Sequence, residues 1–152
     1  MIHYTKALLR DIPLMQDVVR PEVEKGIILF RSSDEMATNI RSYILAKDDE
    51  KIIGFGALHL HADDLAEVRS LVVQESYRGQ GIGKGIVQTL LDEGTFLGVK
   101  KVFTLTYRRE FFETVGFSEI PKTSLPSQKI WADCIKCKHF PVCDEIALIK
   151  IL

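Results

Sequence analysis

Two hydrophobic periods divide the chain. Ile2 to Ala7 is short and mixed, as in a first strand. Asp11-Ile12-Pro13 is a helix start, because Asp can cap free N–H groups and Pro fits the first turn. Met15, Val18, Val19 and Val23 then recur at helical spacing, and Pro21 is expected to kink or split this helix. Ser33-Asp34-Glu35 opens a short helix to about Arg41. Strand patterns come next. Ser42 to Ala46 and Lys51 to Leu58 flank the charged turn Lys47-Asp48-Asp49-Glu50, and Leu65 to Val73 comes after the Asp63-Asp64 turn. Ile82, Ile86, Val87, Leu90, Leu91 and Leu97 form the stripe of a long helix. Lys100 to Tyr107 is β-branched and aromatic, a strand. Arg109 to Val115 is a short helix stopped by Gly116, and Phe117 to Ile120 and Ile146 to Leu152 are closing strands. Hairpin strands succeeded by a helical connection predict an α/β (α+β) domain, with a mixed, mostly antiparallel sheet flanked by helices.

The length, 152 residues, suits one domain spanning the chain. Apolar residues at 46% can fill a core, and charged residues at 27% can keep it in solution. Twenty basic against 21 acidic residues give a net charge of −1, so electrostatics provide no reason to expect nucleic acid or an anionic membrane as partner. The N-terminus has no long apolar segment and no run reaches membrane-spanning length, which predicts a cytoplasmic protein. The three cysteines, Cys134, Cys137 and Cys143, are an odd number clustered near the C-terminus, which suggests reduced thiols or a metal site.

Candidate chemistry concentrates after the third meander strand. Arg78-Gly79-Gln80-Gly81-Ile82-Gly83-Lys84-Gly85 joins a strand to a helix. Glycines let backbone N–H groups approach a ligand, and the helix start adds unsatisfied N–H groups and the positive end of its dipole. This is an anion site suited to pyrophosphate, with Arg78 and Lys84 adding charge. A nucleotide phosphate loop would need a hydroxyl residue after Gly-Lys, but Gly85 stands there. The dinucleotide fingerprint also fails, since its third glycine would fall on Lys84 or Ile86.

The arrangement resembles the GNAT acetyltransferase superfamily. Arg78 to Gly83 meets its acetyl-CoA motif, Leu71-Val72-Val73 its preceding strand, and Phe111 to Phe117 its aromatic helix ending in Gly-Phe. The resemblance implies that Leu71, Val72 and Val73 pair with the pantetheine arm, and that the amides of Arg78, Gly79, Gln80, Gly81, Ile82, Gly83 and Lys84 hold the pyrophosphate. Leu65 to Val73, Lys101 to Thr106 and Gly26 to Ser32 further resemble the acetyltransferase domain of bacterial N-acetylglutamate synthases, in its short single-domain form, over about residues 3–130. That likeness implies transfer of acetyl to the α-amino group of a small amino acid, glutamate favoured, in amino-acid and arginine biosynthesis. It also implies a homodimer. Another small amine, or a protein N-terminus, is the alternative acceptor; a non-catalytic acyl-CoA-binding module is the alternative class.

Acetyl transfer needs a neutral amine, a thioester and a proton for the leaving thiolate. A carboxylate in a partly buried strand can act as a base, and Glu67 matches the synthases' base position; otherwise it is an ion-paired strand residue beside Arg69. Many superfamily members donate the proton from a Tyr, but Phe112 stands at that position. The synthases use a hydroxyl at the end of the preceding strand, matched here by Thr106, with Tyr107 adjacent. Arg31 matches a substrate-binding Arg, suited to clamping a carboxylate. The synthases' C-terminal Arg-x-Ser segment is replaced by Cys143-Asp144-Glu145, whose acids would disfavour a dicarboxylate unless Arg108, Arg109 or Lys129 compensates. Cys134, Cys137, His139 and Cys143 could complete a structural zinc shell or simply pack a loop. His59 and His61 alternate in a strand and point the same way, towards the cleft or into ordinary sheet contacts.

Overall fold

The computed structural model describes residues 1–125 and 145–152. In chain order these are β1 (Ile2–Lys6), α1 (Ile12–Glu24), α2 (Ser33–Thr38), β2 (Tyr43–Asp48), β3 (Lys51–Ala62), β4 (Leu65–Val73), α3 (Ile82–Leu97), β5 (Lys101–Thr106), α4 (Arg109–Thr114), β6 (Ser118–Ile120) and β7 (Ile146–Ile151), with short 3-10 turns between some of them. They form a seven-stranded sheet in the order β1-β2-β3-β4-β5-β7-β6. Only β4 and β5 run parallel; the other neighbours are antiparallel. The reason is the connection: α3 carries the chain from the end of β4 back to the start of β5, a crossover that hairpins cannot make.

Strand alternation divides the core into two layers. Ala66, Val68 and Val73 of β4 and Ile53 and Leu58 of β3 face α3, meeting Ile82, Ile86, Val87, Leu90 and Leu91. Phe55, Ala57 and Val72 belong to the opposite layer, with Met15 of α1 and Met36 of α2. At about 25 cal/mol per Å² of apolar area, each fully buried Leu, Ile or Phe contributes roughly 1.5–3 kcal/mol, so the α3 layer is the larger stabilising unit.

Some elements differ in detail from the pattern the sequence predicts. Pro21 does not split its helix, which runs continuously from Ile12 to Glu24. Proline sits one turn from the end, where only one ladder bond is lost, and the Pro21 carbonyl still accepts from Lys25 N–H at 3.2 Å. Asp11 does not cap α1; its Oδ2 accepts from the Leu8 N–H at 2.8 Å. Ser32, not Ser33, caps α2, its Oγ accepting from Glu35 N–H at 3.1 Å, and the α-helix ends at Thr38. Leu97, the last residue of α3, is 52% exposed. Gly116 does stop α4, with φ of 97°.

A bulge interrupts the β3–β4 ladder. Between Phe55/Ala57 and the facing Arg69–Val72, β4 holds one extra residue, and Ser70 takes φ of 57° to accommodate it.

Candidate active site

β4 and β5 pair at Leu65, Ala66 and Glu67 and then part. Just beyond, Thr104 Oγ1 of β5 donates to the Val68 carbonyl at 2.9 Å. The bulge turns β4 one way, while β5 stays paired with β7 along its whole length. The Leu71–Val73 edge is therefore left with no β5 ladder partner, as an added extended chain requires.

This edge leads into the glycine loop. Gly79 and Gly81 both have φ of 80°, and a Cβ at either would meet nothing within 4 Å. Conformation, not crowding, calls for glycine there. The N-cap of α3 is Gly81, with no side-chain cap, so the first-turn N–H groups remain available to an anion. The other two glycines serve packing. A Cβ on Gly83 would come within 3.2 Å of the Phe111 ring, and one on Gly85 would overlap the Tyr4 hydroxyl. Burial raises the Tyr4 phenol above its ordinary pKa. All four glycines read alike in sequence; two shape the loop and two admit aromatic rings.

Arg78 is engaged by protein groups. Its Nε donates to the Val73 carbonyl at 3.0 Å, and its Nη2 to Glu22 Oε1 of α1 at 2.9 Å. Glu22 is buried at 4% exposure. Arg78 thus braces the loop against α1, while Lys84 is the exposed cation of the first turn of α3. A second brace precedes the loop: Tyr77 Oη donates to Asp48 Oδ2 at 2.9 Å. That bond, and after it the N-terminal ammonium, holds the Asp48 carboxyl below the usual carboxylate range, and the same bond pushes the Tyr77 phenol up.

Glu67 is 1% exposed. Its Oε1 lies 2.9 Å from His61 Nε2. His59 is its direct neighbour across the β3–β4 ladder, and the His59 and His61 rings meet edge to face at 4.7 Å. The Phe103 ring, 5.2 Å from that of His61, completes the cluster. Thr106 lies three residues beyond Phe103, the residue opposite Glu67, which is about 10 Å along β5 at a strand's rise. Its Oγ1 accepts from Arg108 N–H at 2.9 Å, which orients the hydroxyl, and Tyr107 is 38% exposed.

Arg31 lines a cavity of about 350 Å³ between α1, α2 and the sheet. Val19, Val23, Ile28, Phe30 and Phe55 make most of its wall apolar, and Ser70 at the bulge closes it towards β4. Arg31 is 9% exposed, and its Nη1 donates to Glu35 Oε2 at 2.7 Å. Glu67 does not line this cavity; it sits on the same sheet face, three residues from Ser70. Arg109 pairs with Glu119. Cys134, Cys137, His139, Cys143 and Lys129 lie outside the described residues, and among the described residues no group of three His, Cys, Asp or Glu could hold a metal. No helix among them is long and apolar enough to cross a membrane.

Glu22 and Tyr4 escape sequence reasoning, because neither carries a local pattern. His61 has a signal, its period-two spacing from His59 opposite Glu67.

Residues 11–117 match the acetyltransferase (GNAT) family. An uncharacterized N-acetyltransferase of Chlorobaculum tepidum is 37% identical over 146 residues, covering 96% of this chain and 94% of that protein. The amino-acid acetyltransferase of Mycobacterium tuberculosis is 32% identical over 126 residues, 81% of this chain and 72% of the other. Among solved structures, N-acetylglutamate synthase from Neisseria gonorrhoeae, complexed with coenzyme A and N-acetyl-glutamate, superposes with a TM-score of 0.88 at 24% identity. It covers all of this chain, which spans 35% of that synthase, and the likeness is one of fold. With its parted strands, its glycine loop and these relatives, the chain belongs to the GNAT family and is an acetyl-CoA-dependent N-acetyltransferase.

Proposed function

We propose that this enzyme moves acetyl from acetyl-CoA to the α-amino group of a small amino acid, glutamate favoured, by direct transfer in a ternary complex. The observation that carries the reading is Glu67, a buried carboxylate held against His61 where β4 and β5 part. Relatives named amino-acid acetyltransferase support the acceptor class.

In this reading the β4 edge from Leu71 to Val73 holds the pantetheine arm, and the amides from Gly79 to Lys84 hold the pyrophosphate. Arg78 acts through its brace to Glu22. Glu67 takes the proton that makes the amine nucleophilic, and Thr106, beside Tyr107, protonates the departing thiolate. Arg31 binds the acceptor's carboxylate, its guanidinium steadied by Glu35. With glutamate as acceptor, the product would feed arginine biosynthesis. The mainly apolar cavity wall favours a second reading, another small amine with an apolar side chain.

Release of free CoA, measured with acetyl-CoA and a panel of amino acids and amines, tests this. Glutamate-dependent release is expected. Release with other amines alone selects the second reading, and none with any amine leaves an acyl-CoA-binding module. Glu67→Gln should lower turnover most at low pH, where the amine is still protonated; an unchanged pH profile removes Glu67 as the base.

A further inference from the structure

We propose that His61 is the proton relay of Glu67, carrying the proton captured from the acceptor ammonium out towards solvent. This rests on the reading of Glu67 as base. Glu67 is 1% exposed, so it has almost no direct exchange with bulk water. The His61 side chain is 8% exposed, and its Nε2 stands 2.9 Å from Glu67 Oε1, a distance at which a proton can pass. His59, half-buried like His61, meets that ring edge to face at 4.7 Å between ring centroids. Exposure thus rises from Glu67 to the two half-buried histidines.

Among the described residues, the titratable groups in contact with His61 are His59 on its own strand and Glu67 of β4. From β5 it meets the apolar Phe103 ring. A bare carboxylate in such a setting is costly, and an imidazolium beside it offsets the cost.

Protons and electron pairs balance through the transfer. An N–H bond of the ammonium breaks as the Glu67 O–H bond forms. That O–H breaks as a bond forms to the Nε2 lone pair of His61, leaving carboxylate and imidazolium. The amine then adds to the thioester carbonyl. The C–S bond breaks with its electron pair on sulfur, and the nitrogen's second proton is lost as the thiolate gains one. His61 returns to neutral by releasing its original Nδ1 proton to water, and exchange with water then moves the remaining proton from Nε2 to Nδ1, so that the Nε2 lone pair is free for the next turnover.

The experiment compares His61→Gln with Glu67→Gln. Gln keeps a hydrogen bond to Glu67 but cannot carry a proton. His61→Gln should lower kcat by roughly 100-fold at neutral pH, the low end of the usual range of about 100- to 10,000-fold for acid–base groups. The loss should shrink at high pH, where free amine is abundant, and added imidazole should restore part of the rate. The KM for acetyl-CoA should stay within about twofold, since His61 lies away from the loop. If Glu67→Gln is impaired while His61→Gln keeps the wild-type rate and pH profile, the relay is overturned and the base stands. Equal loss at every pH without imidazole rescue also overturns it, as that marks a structural role. Wild-type rates in both variants remove the base reading with it. Should His61→Gln fail to fold, His61→Asn decides on the same readouts: a loss of kcat that shrinks at high pH and is partly restored by imidazole is expected, and the wild-type rate and pH profile overturn the proposal.

Discussion

Glu22→Gln tests whether α1 and the cofactor loop are fastened as the structure indicates. Glu22 Oε1 receives Arg78 Nη2 at 2.9 Å and lies 3.7 Å from Lys25 Nζ. The glutamate side chain is 5% exposed and the Arg78 side chain 36%. Breaking a fully buried pair costs about 3–5 kcal/mol, but here one partner is wet, and Gln retains an acceptor for Arg78. What is lost is charge assistance, about 1 kcal/mol, together with a new buried N–H₂ group that costs about 1 kcal/mol more if unsatisfied. Loss of about 1–2 kcal/mol should lower Tm by roughly 2–8 °C in a domain of this size. Arg78 begins the glycine loop and also holds the Val73 carbonyl, so the KM for acetyl-CoA should rise several-fold. Urea melts and initial rates of Glu22→Gln, Arg78→Met and the double variant give the coupling. A coupling of about 1 kcal/mol supports the brace, whereas additivity within about 0.3 kcal/mol refutes it.

Gly85→Ala sets helix propensity, a gain of up to about 1 kcal/mol, against overpacking on Tyr4, a cost of about 1–3 kcal/mol. The net should be a lower Tm, reversed in a Tyr4→Ala background; a higher Tm in the wild-type background would sink the packing account. The Asp48 carboxyl is depressed in the folded state, so its contribution is present above the unfolded pKa near 3.8 and lost as pH falls through the lower folded value. Tyr77→Phe removes the leading cause, and its acid-unfolding curve should show less stability lost below about pH 4 than wild type; superimposable pH dependences would exclude the linkage. The cysteine segment should carry about one equivalent of zinc in chelator-free protein if Cys134, Cys137, His139 and Cys143 form a shell, and metal analysis that finds none dismisses it.

Strand spans and loop position are legible in the sequence because they rest on local periods. The β4 span is legible to the residue, as Leu65–Val73 alternates between two charged or polar boundaries. The α3 stripe is visible wherever burial enforces it and fails only at Leu97, the exposed last residue of the helix. Departures cluster where one side chain has two possible partners. Asp11 serves the turn before its helix instead of the helix itself, and Ser32 takes the cap expected of Ser33. Arg78 reads in sequence as a phosphate-facing cation, because the residue answering it, Glu22, is 56 positions away and bears no pattern of its own. The same non-local pairing explains the site. Glu67 can be nominated from its strand, yet its environment depends on β3, where His61 falls at a second register shift, between Leu60 and Ala62, and lies against it. A motif therefore identifies which backbone touches the cofactor, while the proton chemistry is set by cross-strand register. One residue of slip between β3 and β4 would turn both histidines to the α3 face and leave Glu67 buried without them.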